Sequence, residues 1–290
     1  MNRVSTLLPT LPCPRSPIPV PHIMKFNLDP IKLFLVLTLS STSLVSSFSL
    51  VVAQSTPTQP SQPTSPQPPK SGTIKVDLPN LPPGPPPGGR RFGGARRGSC
   101  PEVKTPLTAL VPSTEQPPSV TNVWGLTTEE HPQLWFYLPY TKSSGYPAEF
   151  VLLDDETKDS VYKTAIALPA KAGIIKVPIP ENVPPLQVNK QYRWFFNVYC
   201  YPQKQSTPIY VEGVILRKTP NQTLLKQLQK SQPIQQVNIY ANNGFWYDAL
   251  TTLGQLRQTN PQNNTLQTQW RDLLAAIGLG ELAIQPLVQP

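Results

Sequence analysis

The sequence predicts a mainly β chain with α. It is an antiparallel β-sandwich of immunoglobulin-like architecture, followed by a C-terminal helical hairpin and preceded by a disordered Pro-rich linker. Three observations predict it. Read with period two, the run from Tyr192 to Cys200 puts Tyr192, Trp194, Phe196, Val198 and Cys200 on one face, with Arg193, Phe195, Asn197 and Tyr199 on the other. That is a strand with one apolar and one mixed face, rich in residues that fit a pleated, half-buried surface. About seven such runs, spaced by turn residues and with no helical pattern between them, are the signature of a sandwich. Beyond Pro220 the apolar period changes to i, i+3, i+4.

The strands are expected in order. Leu107 to Val111 stops at Pro112, and Leu134 to Leu138 stops at Pro139. Ala148 to Leu153 ends in the acidic turn Asp154-Asp155-Glu156. Val161 to Leu168 alternates, Ile174 to Ile179 follows Gly173, and Ile209 to Leu216 follows the Tyr192–Cys200 strand, which is taken as central. Val198, two positions before Cys200, stands where an antibody domain would carry Tyr, so the expectation is the architecture and not the superfamily. The domain is bounded at 99–218 and the helical region at 219–290. There Leu224, Leu225 and Leu228 share a helical face, and Val237, Tyr240, Ala241, Phe245, Ala249, Leu253 and Leu256 form a second pattern that Gly244 kinks or interrupts. Thr265 is the expected N-cap of a helix over Leu266 to Ile277. No second copy of the helix pair occurs, so it is read as a hairpin packed on the sandwich and not as a solenoid repeat.

The first 98 residues lack a core pattern. The chain has 290 residues and 39 Pro, and Pro is densest before position 100. Met24-Lys25-Phe26-Asn27 and Lys32, the apolar run through Leu39, and small residues ending at Ala53 follow the three-part order of a secretory signal. Residues 1–53 are therefore read as a leader, with Met24 the expected initiator and cleavage before Gln54. The apolar run is broken by Ser and Thr, which argues against a permanent membrane span. Residues 54–98 are expected as disordered linker: Gln, Ser, Thr and Pro bury too little apolar area to offset chain entropy. The linker ends in a Gly-rich run carrying Arg90, Arg91, Arg96 and Arg97. Those four cations are the candidate contact for an anionic surface, against the plainer reading of a soluble joint.

Removal of the leader takes Cys13 and leaves Cys100 and Cys200. In an oxidising compartment an isolated pair is expected as a disulfide. It would close a loop of about 100 residues, worth up to ~4.7 kcal/mol in the chain-entropy model. Net charge is +9 overall, yet from Gly98 onward 15 Lys and Arg face 14 Asp and Glu. A domain so near neutrality argues against a nucleic-acid partner. The expected partner is instead a protein or an envelope polymer.

Candidate chemistry is sparse. Asp154, Glu156 and Asp159 could offer oxygens to calcium, but the glycine and terminal acid of an EF-hand loop are missing, and an acidic turn is ordinarily just solvated. Glu129, Glu130 and His131 could supply acid–base groups, although no nucleophile elbow or phosphate loop accompanies them. Thr127-Thr128-Glu129-Glu130 also reads as the cap of a short helical turn. Trp124, Trp135, Tyr137 and Tyr140 are either core or a carbohydrate-stacking surface. No catalytic, metal or cofactor-binding residue is assigned.

Gly98-Ser99-Cys100, Leu107 to Pro112, Gly125 to Pro132, Leu134 to Pro139, Glu149 to Leu153, Tyr192-Arg193-Trp194 and Trp246-Tyr247-Asp248-Ala249-Leu250 together resemble a cyanobacterial family of exported proteins, the domain of unknown function 928 family. The resemblance spans roughly residues 88–288 and includes both cysteines. It implies source and compartment, periplasmic or extracellular, and no chemistry. The expectation is thus an exported, non-catalytic binding or structural module of the cell envelope or extracellular space. The alternative is an envelope hydrolase using Glu129, Glu130 or His131.

Overall fold

The computed structural model describes residues 74–82, 85–94, 100–116, 119–200 and 207–290. The leader, the linker up to residue 73, and Arg96 and Arg97 lie outside the described residues. Nine strands form two sheets: β1 (Thr108–Ala109), β2 (Ser113–Gln116), β3 (Val120–Thr127), β4 (Gln133–Leu138), β5 (Ala148–Asp154), β6 (Ser160–Ala165), β7 (Gly173–Pro178), β8 (Gln191–Val198) and β9 (Ile209–Arg217). The larger sheet runs β2-β3-β9-β8-β5-β6 and the smaller β1-β4-β7. β8 lies between β5 and β9, antiparallel to both. Along it burial alternates as the period-two reading requires, with Tyr192, Trp194, Phe196 and Val198 inside.

The two sheets meet across an aromatic seam. Phe136 of β4 lies 4.9 Å from Phe196 and 5.5 Å from Trp194, ring centre to ring centre. β4 is also buried on its other face, because a third layer packs there. Trp135, facing away from Phe136, meets Trp270 edge-on at 5.9 Å and hydrogen-bonds Thr251 Oγ1 through its indole N–H. A Cβ at Gly254 would stand 2.5 Å from the Trp135 ring, so only glycine lets the helix come this close. The helices thus cover the smaller sheet, and α3 also meets the larger one directly, where the Tyr247 hydroxyl accepts from the Trp194 indole N–H. Trp124, Trp135, Tyr137 and Tyr140 are all interior, which removes them as a carbohydrate-stacking surface.

That third layer contains four α-helices where the sequence suggested a hairpin: α1 (Gln222–Lys230), α2 (Pro233–Asn242), α3 (Trp246–Thr259) and α4 (Asn264–Ala276). The longer pattern is split at Gly244, whose φ of 76° is left-handed. A side chain there would also collide with Pro79. Pro233 at the start of α2 separates it from α1. The N-cap of α4 is Asn263, whose side chain accepts from Thr265 and Leu266 N–H, so Thr265 is a residue inside and not the cap. No described helix is long and apolar enough to cross a membrane.

Two further features depart from expectation. β3 pairs parallel to β9, so the larger sheet is mixed. And the chain is ordered well before residue 99. Ile74 is buried in the core, and Asp77 N–H donates to the Ala241 carbonyl at the end of α2. Residues 88–93 then form a strap between the sheets. Arg90 exchanges both backbone hydrogen bonds with Glu212 of β9, and Gly93 and Ala109 close a second pair through Leu107 and Arg91. The strap takes the edge of β9 that β3 leaves open beyond Trp124, and so satisfies groups that would otherwise be unpaired.

Candidate functional site

Cys100 and Cys200 form a disulfide with their Cα atoms 5.3 Å apart, and Cys200 lies two residues past the end of β8. The Arg pair of the strap is structural rather than loose. Arg91 is only 8% exposed. Its guanidinium donates to Ser113 Oγ and to the Ile277 carbonyl, one of the unsatisfied acceptors at the C-terminus of α4. Burial without a carboxylate lowers its pKa to about 10. Arg90 lies over the Tyr210 ring at 4.7 Å. Burial withdraws Arg91 from the anionic contact expected of this run, whereas Arg90 is stacked but only half-buried.

The acidic turn is neutralised from within. Asp154 accepts from Glu156 and Thr157 N–H and pairs with Lys190, whose hydrogen bond holds the carboxyl below its ordinary range. Asp155 meets Arg193 at 2.7 Å, and Arg193 reaches Glu212 at 2.7 Å on its other side and the Pro87 carbonyl. Partial burial pushes Asp155 up, but hydrogen bonds from Arg193 and Lys158 outweigh it and leave the pKa lowered.

Elsewhere polarity is gathered around a cavity of about 270 Å³ between the β3–β4 connection and helices α2 and α3. Asp248, Thr251, Thr252 and Gln255 line it from α3 at spacing i, i+3, i+4, i+7, one face of a helix. Thr127, Glu129, His131 and Gln133 line it from the connection, and Tyr240 from α2. Of the three groups proposed for acid–base work, the fold brings Glu129 and His131 together here. Glu130 is not among the lining residues; it pairs on the surface with Arg217 at 2.9 Å. No helical turn is capped by the Thr-Thr-Glu-Glu run. Thr127 ends a strand, and its hydroxyl accepts from Glu129 N–H.

Asp248 was not singled out for chemistry by its sequence context, where it sits inside an apolar helical pattern. It is 4% exposed. Its carboxylate accepts from Thr128 N–H at 3.0 and 3.2 Å and from the Thr128 hydroxyl. Burial raises its pKa to about 7, against the hydrogen bonds of Thr128 and Thr127 and with a further push from the negative Glu129. His131 Nε2 lies 2.9 Å from the Val183 carbonyl. A carbonyl only accepts, so Nε2 carries a proton and donates to it. Gln133 Oε1 is buried with no hydrogen-bond partner. The arrangement offers hydrogen-bond acceptors and an ionisable pair, Glu129 and Asp248. A carboxyl raised by burial beside a second carboxylate is a setting that acid–base chemistry or cation recognition can use.

No curated protein matches the chain. A family model described as Domain of Unknown Function (DUF928) matches residues 92–287, from the strap through the C-terminal end of the third layer, and the chain accordingly belongs to that family.

Proposed function

We propose that the chain is an exported, non-catalytic binding module of the cell envelope or extracellular space, and that the cavity over Asp248 is where it binds. The observation that carries the export reading is the disulfide joining residues 100 apart. Such a bond persists in oxidising compartments, and it accords with the secretory pattern of residues 24–53. The binding reading is supported by a cavity whose polar groups are directed to one place by two different elements, the β3–β4 connection and α3. The partner is an envelope polymer or protein.

The test is expression of the full chain with its leader, followed by cell fractionation and thiol labelling. The expected outcome is protein outside the cytoplasm with both cysteines unreactive until reductant is added. Retention in the cytoplasm with two free thiols would overturn the reading. Envelope material captured by the native chain should be lost when Thr252→Trp fills the cavity.

A second reading, an envelope hydrolase, is favoured by one observation: Glu129, His131 and Asp248 line the same cavity. Glu130 has no part in it. Turnover of a glycan or peptide by the purified chain, abolished by Asp248→Asn, would establish that reading in place of the first.

A further inference from the structure

Four acids on the larger sheet or beside it have a cation. Asp154 has Lys190, Asp155 has Arg193, Glu149 has Lys163 and Glu130 has Arg217. The cavity differs. It is lined by two carboxylates, Glu129 and Asp248, and no Lys or Arg among the described residues lines it. Its other polar groups include the hydroxyls of Thr251 and Thr252, which can accept as well as donate, and Gln133 Oε1, a buried acceptor without a partner.

Building on the reading that the cavity is the binding site, we propose that it takes a small ligand bearing a protonated primary amine. An ammonium has three donors and no acceptor, which suits two carboxylates and a buried, unpartnered oxygen with no cation of the chain among them. It also supplies the charge that Glu129 and Asp248 lack. An anion would meet two carboxylates and is repelled. A neutral polyol could use the acceptors but would leave the carboxylate charge uncompensated. The ring of Tyr240, on the α2 side, offers an aromatic surface to a cation. The volume of about 270 Å³ falls just below the usual span of drug-sized pockets, so the ligand is small or enters by one amine-bearing end.

The experiment is calorimetric titration of the full chain at low salt with ethanolamine, putrescine and glucosamine. N-acetylethanolamine and N-acetylglucosamine serve as controls in which the amine is masked. The expected result is saturable binding of at least one free amine, at least tenfold tighter than its masked counterpart. Glu129→Gln, a change at an exposed position that leaves the thermal unfolding midpoint in place, should weaken it at least tenfold. Asp248→Asn should do the same and provides a second, independent variant. Masked analogues binding as tightly as the free amines, or undiminished affinity in Glu129→Gln, would overturn the amine while leaving the cavity as a binding site. Absence of saturable binding by every probe would overturn both.

Discussion

Asp155 and Asp248 are both carboxylates held in place by hydrogen bonds, and the fold treats them in opposite ways. Asp155 sits at the end of β5 against Arg193, which bridges it to Glu212 and to the strap. Its charge is matched, and its pKa falls. Asp248 sits in the first turn of α3 under the β3–β4 connection, receives only neutral donors from Thr127 and Thr128, and its pKa rises to about 7. The difference separates scaffold from site. Matched charge on the larger sheet organises strands, turn and strap. Unmatched charge in the cavity is left for something that is not part of the chain.

The comparison can be broken most forcefully at Arg193. Arg193→Met should destabilise the fold by about 3 kcal/mol, the low end for a broken buried pair because the network is only partly buried. It should also loosen the strap, read as faster amide exchange at Arg90 and Glu212 in denaturant-titrated exchange experiments. A loss below ~0.5 kcal/mol would mean that the network is surface decoration.

Asp248 tests the other side through pH. Its folded pKa, about 7, lies above the ordinary value of 3.8. The folded state therefore binds more protons than the unfolded state between these limits, and this carboxyl's contribution to stability falls as pH rises from about 4 to about 7. Asp248→Asn removes that slope. The variant should gain a few kcal/mol of stability relative to the native chain between pH 4 and pH 8, measured as the difference in urea unfolding free energies. A pH-independent difference would show that the carboxyl titrates normally.

Thr128→Val sharpens the same contrast with a smaller change. It removes the hydroxyl donor but keeps the backbone donor, so the ionised form of Asp248 loses one charge-assisted hydrogen bond. The cost should be roughly 1.5 kcal/mol above pH 8 and much less at pH 5. Least affected should be Lys163→Ala. Lys163 pairs with Glu149 at 2.9 Å from an exposed position, and its loss should stay under about 1 kcal/mol and shrink further in 0.5 M salt.

How much of this could be read in the sequence depends on what kind of signal each part carries. β8 was legible because its large residues alternate without interruption, and tertiary packing rewards that pattern directly. β3 was not, because Asn122 and Gly125 break its pattern. The structure shows why each is there: the Asn122 side chain accepts from Gly88 N–H of the strap, and Gly125 admits Trp246 and Tyr247 of α3. The strap itself reads as linker, since it is Gly, Pro and Arg. What holds it is backbone pairing to a distant strand edge and one guanidinium reaching the end of α4, and neither has a local sequence signature. The number of helices was missed by treating Gly244 as a kink, although its position next to a polar Asn-Asn pair is a stop signal.

In the candidate site, Glu129 and His131 were visible as residue types, but their relation to Asp248 is a product of topology. The β3–β4 connection and α3 lie about 120 residues apart in sequence, and nothing local joins them. One signal was available and passed over. Asp248, Thr251, Thr252 and Gln255 form a polar stripe at helical spacing that is buried at Asp248 and open at Gln255, and a polar stripe that starts inside the fold marks a cavity or a partner.

The covalent link between Cys100 and Cys200 encloses β1 through β8, the greater part of both sheets, in a single closed ring of chain. What a cut in the chain releases depends on whether it falls inside that ring. Within this ring one scission frees no fragment: the two pieces remain joined through sulfur and stay packed on a common aromatic seam. A nick at the exposed Lys158 turn, for example, would show on a reducing gel and not on a non-reducing one. The ring therefore gives the sandwich a tolerance to damage that the helical layer, which follows the last cysteine and has no such closure, does not share.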